Sequence, residues 1–208
     1  MRYGMVIDLR RCVACYACVI ACKTENATPP GVLFSWAKRS EKGEYPNTQN
    51  IYIPMLCNHC EKPFCIEVCP SGATNKRKED GIVAIDAEKC IGCQLCMHAC
   101  PYDARYYLDE IRDYYPGEGR TPYEEQGYRN HTVGTVEKCD FCQARLEEGL
   151  EPACVANCPT VARTFGDLDD PNSEVSQILW REKIRLRSTS VYYLRADRQM
   201  QETQPART

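Results

Sequence analysis

The sequence contains no run of 18 apolar residues, short of the roughly 20 that a membrane-spanning helix needs. Its start, MRYGMVIDLRRC, lacks the apolar centre of a secretory signal, and Arg10-Arg11 lead into a cysteine motif rather than a signal sequence. Phenylalanine is scarce, four in 208 residues, so a core made of organic side chains alone is thin. No phosphate-binding glycine loop, dinucleotide fingerprint or nucleophile–base constellation is present, and the chain is expected to have no catalytic site of its own. A formal charge of −3 brings no sign of nucleic-acid binding. From these absences the chain alone reads as cytoplasmic, with no transmembrane segment.

Cysteine is abundant instead. Sixteen cysteines fall into four tetrads with none left over. Cys12, Cys15, Cys18 and Cys22 are spaced C-x2-C-x2-C-x3-C, and Cys90, Cys93, Cys96 and Cys100 repeat that spacing. Cys57, Cys60, Cys65 and Cys69 follow C-x2-C-x4-C-x3-C; Cys139, Cys142, Cys154 and Cys158 follow C-x2-C-x11-C-x3-C. Pro70, Pro101 and Pro159 follow three of the last cysteines, whereas Lys23 follows Cys22. This is the ligand run of bacterial ferredoxins, in which three thiolates converge on one [4Fe–4S] cube and the fourth serves a neighbouring cube. The proline after the fourth stops the helix and turns the chain away. Four runs imply four [4Fe–4S] clusters and a wire for single electrons.

Zinc also takes four cysteines, but from two separated C-x2-C pairs, and does not need the third cysteine two residues further on. A disulfide framework does not suit C-x2-C neighbours in a chain of this length. Rieske ligation needs two histidines in place of two cysteines, and no tetrad lacks a cysteine, so His59 and His98 are expected to be hydrogen-bonding or surface residues. An oxidised cube with its thiolates carries about −2, which brings the loaded chain to roughly −11. Arg10, Arg11, Lys23, Lys89, Lys138 and Arg145 flank the ligands and either offset that charge or are solvated surface residues. The clusters are expected to act as inorganic core and crosslink together.

Apolar or β-branched runs predict strands at Met5–Leu9, Ile51–Leu56, Gly81–Asp86 and Thr132–Glu137. The turns at Cys69–Ala73, Cys100–Ala104 and Cys158–Ala162 are variants of one repeat. The second and third tetrads read as one two-cluster module, with the first and fourth forming another wrapped around it. The fold class is therefore α+β: two interleaved bacterial ferredoxin-like modules, one from residues 1–50 and 132–195, the other inserted at 51–104. Residues 24–50 are expected to be mostly loop. A tyrosine-rich insertion at 105–131 suits an interface, tyrosine being enriched there, or a self-packed surface loop. Asp170-Pro171 predicts a helix start carrying Val175, Ile178 and Leu179, and Ser190–Arg195 a last strand. The polar tail 196–208 is expected to need a partner to order it.

The chain resembles the four-cluster iron–sulfur subunits of molybdopterin oxidoreductase complexes, such as polysulfide, thiosulfate, tetrathionate, arsenate and dimethyl sulfoxide reductases. Besides the tetrads, the resemblance rests on Cys22-Lys-Thr-Glu-Asn26, Gly43-Glu-Tyr-Pro46, Cys57-Asn-His-Cys60, Lys138-Cys-Asp-Phe-Cys142 and Phe165-Gly-Asp-Leu-Asp-Asp-Pro171. It implies swapped ligands: Cys12, Cys15, Cys18 and Cys158 on one cluster, and Cys139, Cys142, Cys154 and Cys22 on a second. A third would take Cys57, Cys60, Cys65 and Cys100, and a fourth Cys90, Cys93, Cys96 and Cys69. It further implies a molybdopterin catalytic partner and a membrane anchor that reacts with quinone. Export with the catalytic partner would put the chain in the periplasm, on the outer face of the cytoplasmic membrane. A free cytoplasmic polyferredoxin, or a subunit serving a soluble dehydrogenase, is the alternative reading.

Overall fold

In the computed structural model, which describes residues 1–186 and 188–195, regular structure comes in short pieces between cysteine-bearing loops. From the N-terminus these are β1 (Tyr3–Asp8), α1 (Ala17–Asn26), β2 (Ser35–Lys42), β3 (Gln49–Leu56) and α2 (Phe64–Glu67). There follow β4 (Thr74–Lys76), β5 (Val83–Ile85), α3 (Leu95–His98), β6 (Tyr106–Tyr107) and α4 (Pro122–Gly127), the last running into a 3-10 turn at Tyr128–Asn130. The remainder is β7 (Val136–Glu137), α5 (Gln143–Glu147), α6 (Ala153–Ala156), β8 (Arg163–Asp167), α7 (Glu174–Arg181) and β9 (Val191–Leu194). This mixture of short strands and helices is consistent with the expected α+β class.

Strand β1 is the centre of the largest sheet, antiparallel to β8 with Met5 opposite Phe165, and parallel to β9 with Met5 opposite Val191. It is apolar on both faces because both are covered. Met5, Ile7 and Val191 join Leu56, Ile82 and Phe141 in one core that also contains Cys139 and Cys154. Val6, on the opposite face, packs with Leu168, Val175, Leu179, Tyr192 and Leu194 under α7. Each such aliphatic side chain contributes about 1.5–3 kcal/mol on burial.

Two local expectations change. Residues 24–50 hold more regular structure than expected: Ser35–Lys42 forms β2, paired with β3 along all eight residues from Ser35 opposite Leu56 to Lys42 opposite Gln49. Its outer half is charged and exposed, so its own sequence carries no apolar alternation, and the partner strand imposes the extended form. Helix α7 starts at Ser173 rather than Asp170. The Asp170 carboxylate accepts from the Asn172 N–H at 2.8 Å, closing a turn of its own ahead of the helix.

In the insertion, α4 opens with a complete capping box: the Thr121 hydroxyl accepts from the Glu124 N–H, and the Glu124 carboxylate accepts from the Thr121 N–H. Three of its tyrosines are satisfied within the chain. The Tyr114 hydroxyl donates to the Thr28 carbonyl, that of Tyr123 to Thr24, and that of Tyr128 to Arg112. These contacts fit the self-packed reading, with Tyr115 left exposed. The tail 196–208 lies outside the described residues. Among the described residues no helix is long and apolar enough to cross a membrane.

Candidate metal centres

The first C-x2-C step of each run shares one backbone device. The residue before the second cysteine (Ala14, His59, Gly92 or Phe141) has φ between 41° and 66°. That left-handed turn folds the backbone so that successive N–H groups face inward, the concave nest that anions and iron–sulfur clusters occupy. A side chain on Gly92 would collide with the Gly134 carbonyl, so glycine is required there. The turns after the last cysteines repeat a second device: Gly72, Asp103 and Val161 are left-handed, and Ala73, Ala104 and Ala162 after them are buried.

Helices α1 and α3 begin in the second half of the first and third runs, each after a left-handed residue, Tyr16 or Gln94. Sulfur atoms already receive donors. The Ala162 N–H lies 3.2 Å from Cys158 Sγ, the Phe141 N–H 3.5 Å from Cys139 Sγ, and the Val136 N–H 3.5 Å from Cys90 Sγ. The Asn26 amide lies 3.5 Å from Cys22 Sγ. Such bonds favour thiolate over thiol.

The structure brings cysteines from different runs together. Cys22 is buried beside Cys154 and Cys142, and Cys139 stands among Cys22, Cys142 and Cys154. Cys60 faces Cys57, Cys65 and Cys100, while Cys96 faces Cys69 and Cys90. Cys12, Cys15, Cys18 and Cys158 line one space. Among the described residues, no three His, Cys, Asp or Glu side chains converge tightly enough for a single metal ion.

Burial, and then the neighbouring thiols, push the Cys60 thiol up to about 12 and raise Cys22 and Cys139 as well. Burial raises Cys142 to about 12. Such thiols ionise only for a strong cation, which is what an iron cluster offers. Cys69 differs: burial opposes its ionisation, but the N–H groups of Thr74, Ala73 and Ser71 and the Ser71 hydroxyl bring it down to about 7.

His59 is fully buried, stacks on Phe141 at 3.8 Å and accepts the Val83 N–H on Nδ1. It is a core hydrogen-bonding residue. Five of the six flanking cations have partners of their own. Arg10 bonds Asp8 and Glu182, Lys89 bonds Asp86, and Arg145 bonds Glu25. The Lys23 ammonium donates to Thr28, Pro29 and Val32 carbonyls, and that of Lys138 to Val83 and Cys139 carbonyls. Two cations among the ligands were not singled out from the sequence: Arg105 and Arg163, both buried. Each stands immediately after the repeated Cys-Pro-x-x-Ala turn, and that spacing is the signal that marks them.

Known proteins agree with this chemistry. Residues 48–114 and 109–168 match the 4Fe-4S dicluster domain, and residues 10–25 match a 4Fe-4S binding domain. The chain is 42% identical to the iron–sulfur subunit of the arsenate respiratory reductase of Shewanella sp., over 86% of this chain and 87% of that one. It is 39% identical to a subunit of the tetrathionate reductase of Salmonella typhimurium, over 94% and 73%. A subunit of the selenate reductase of Mesobacillus selenatarsenatis is 40% identical, over 93% and 72%. Two dicluster segments and sixteen cysteines provide for four [4Fe–4S] clusters. The chain belongs to the 4Fe–4S dicluster family, among the electron-transfer iron–sulfur subunits of oxidoreductase complexes.

Proposed function

We propose that the chain is a non-catalytic relay, passing single electrons between a molybdopterin-containing catalytic subunit and a quinone-reacting membrane subunit. Four clusters, when bound, supply one-electron steps, at potentials set by sulfur hydrogen bonds, nearby charge and exposure. The observation that carries the reading is Cys22, buried among Cys139, Cys142 and Cys154 from a run more than 100 residues away. On this reading Cys22 completes their ligand set and Cys158 completes that of Cys12, Cys15 and Cys18. Cys100 serves with Cys57, Cys60 and Cys65, and Cys69 with Cys90, Cys93 and Cys96. Residues 1–50 with 132–195 then form one ferredoxin-like module and 51–104 the other.

The ligand sets differ in access. Cys15 and Cys93 are exposed, while Cys22, Cys139, Cys142 and Cys154 are buried. Exposed Val13, Ile20 and Val161 adjoin cysteines of the first set in the chain, and exposed Ile91 and Leu95 lie in the run that carries Cys93. Such patches suit electron hand-off to apolar partner surfaces. By its resemblance the complex works on the outer face of the cytoplasmic membrane, the chain being exported with its catalytic partner.

Purification with metal analysis tests the proposal. The expected result is a complex with a molybdenum-containing large subunit and about sixteen irons and sulfides on this chain. A lone, stable brown protein of 23.7 kDa would sink it.

A further inference from the structure

Arg105 and Arg163 are 4% and 2% exposed. A buried guanidinium stays charged and needs an anion near it. Neither has a carboxylate partner among the described residues, unlike Arg10, Arg77 or Arg145. Each bonds instead to a neutral hydroxyl, and Arg163 Nη1 also to Met5 Sδ at 3.9 Å. Arg105 Nη1 donates to Thr74 Oγ1 at 3.1 Å, and Arg163 Nη2 to Ser35 Oγ at 3.3 Å. Arg105 Nη2 is buried with no hydrogen-bond partner at all.

The two sites are built alike. Each arginine follows a left-handed residue and a buried alanine five positions after the last cysteine of its run, and each hydroxyl opens a strand, Thr74 in β4 and Ser35 in β2. A hydroxyl fixes the guanidinium without cancelling its charge, which a carboxylate would do. What each guanidinium acts upon is sulfur from two ligand sets. Arg105 lies by Cys65 and Cys57 of one ligand set and Cys96 of another. Arg163 lies by Cys154 of one ligand set and Cys18 of another, and borders the space lined by Cys12, Cys15 and Cys158.

We propose that Arg105 and Arg163 are internal counter-charges, one per module, each placed between two clusters to raise the reduction potentials of both. The inference rests on the ligand sets above. One electron takes a cube and its thiolates from about −2 to about −3, with no bond made or broken and no proton required. A fixed positive charge favours the more negative form. Each arginine therefore eases reduction of both its neighbours, moving the two potentials in the same direction.

EPR-monitored redox titration of the full chain in its complex, with iron and sulfide counts, tests this. Arg105→Gln is expected to keep its iron and lower the potentials of the two clusters bounded by Cys65 and Cys96, leaving the other two in place. The shift expected is at least tenfold in the reduction equilibrium, about 59 mV for one electron. Arg163→Gln is expected to lower the complementary pair, and Arg105→Lys or Arg163→Lys to keep most of the natural potential. Unchanged potentials at full iron, or an equal shift of all four from either single variant, would overturn the assignment. If a glutamine variant loses iron, the lysine variant decides: recovered iron and potentials support a counter-charge, and iron lost in both overturns it in favour of shape. Far fewer than sixteen irons in the unaltered protein would instead fail the four-cluster reading itself.

Discussion

His131 Nδ1 lies 2.8 Å from the Glu137 carboxylate while its Nε2 lies 2.9 Å from the Asn26 carbonyl oxygen. Both ring nitrogens thus face acceptors, and only the imidazolium can donate to both. Burial works against that charge, but the Glu137 carboxylate and the Asn26 and Ala27 backbone hold the ring above its ordinary value of 6.5. The pair clasps the insertion to β7 and to the end of α1, four residues from Cys22. A raised folded-state value stabilises fully below pH 6.5 and loses its contribution as pH rises through the folded value. Urea unfolding between pH 6 and 9 is expected to weaken with pH more steeply in the natural chain than in His131→Gln. Parallel curves would disprove the clasp.

Cys22→Ser is expected to remove about four of roughly sixteen irons and to abolish the EPR signal of the cluster bounded by Cys139, Cys142 and Cys154. Loss confined to the cluster of Cys12, Cys15 and Cys18 would show that ligands are not exchanged between runs.

Gly92→Ala forces a side chain against the Gly134 carbonyl at a left-handed φ of 66°. The strain is of order 1–3 kcal/mol, with faster iron loss expected from the Cys90 run under chelator. Chelation half-times equal to those of the natural chain would refute it.

Thr121→Ala removes the cap of α4 and is expected to cost about 1 kcal/mol. Hydrogen exchange should then accelerate through residues 113–128, where the Glu124 carboxylate also accepts from the Tyr114 N–H. Exchange unchanged in that segment would mean that the tyrosines alone hold it.

Leu56→Ala, at a fully buried core position beside Cys57, is expected to cost 2–5 kcal/mol, on the order found for leucine truncations elsewhere. Denaturant midpoints followed by visible cluster absorbance measure it.

The cysteine spacing made the chemistry legible because few ligands other than iron cubes need three thiolates two residues apart. Strands β1, β3 and β5 were legible for the same local reason, their apolar runs. Strand β2 was not, since Lys38–Lys42 owes its form to β3 opposite it. Arg105 and Arg163 were hidden by their type: arginine is rarely buried without a partner, and their role depends on sulfurs brought close only by the fold. Ser173 displaced Asp170 as the helix start because Asp170 closed its own turn first.

Strand β1 sits between β8 and β9, which gives synthesis an order. Residues 3–8 leave the ribosome well before either neighbour, since residues 163–167 and 191–194 are made much later. A contact of such separation closes late and slowly. On the proposed ligand sets, Cys12, Cys15 and Cys18 wait for Cys158, and Cys22 for Cys139, until those later residues have been made. On that reading, closing the sheet and filling the sites become a single late event.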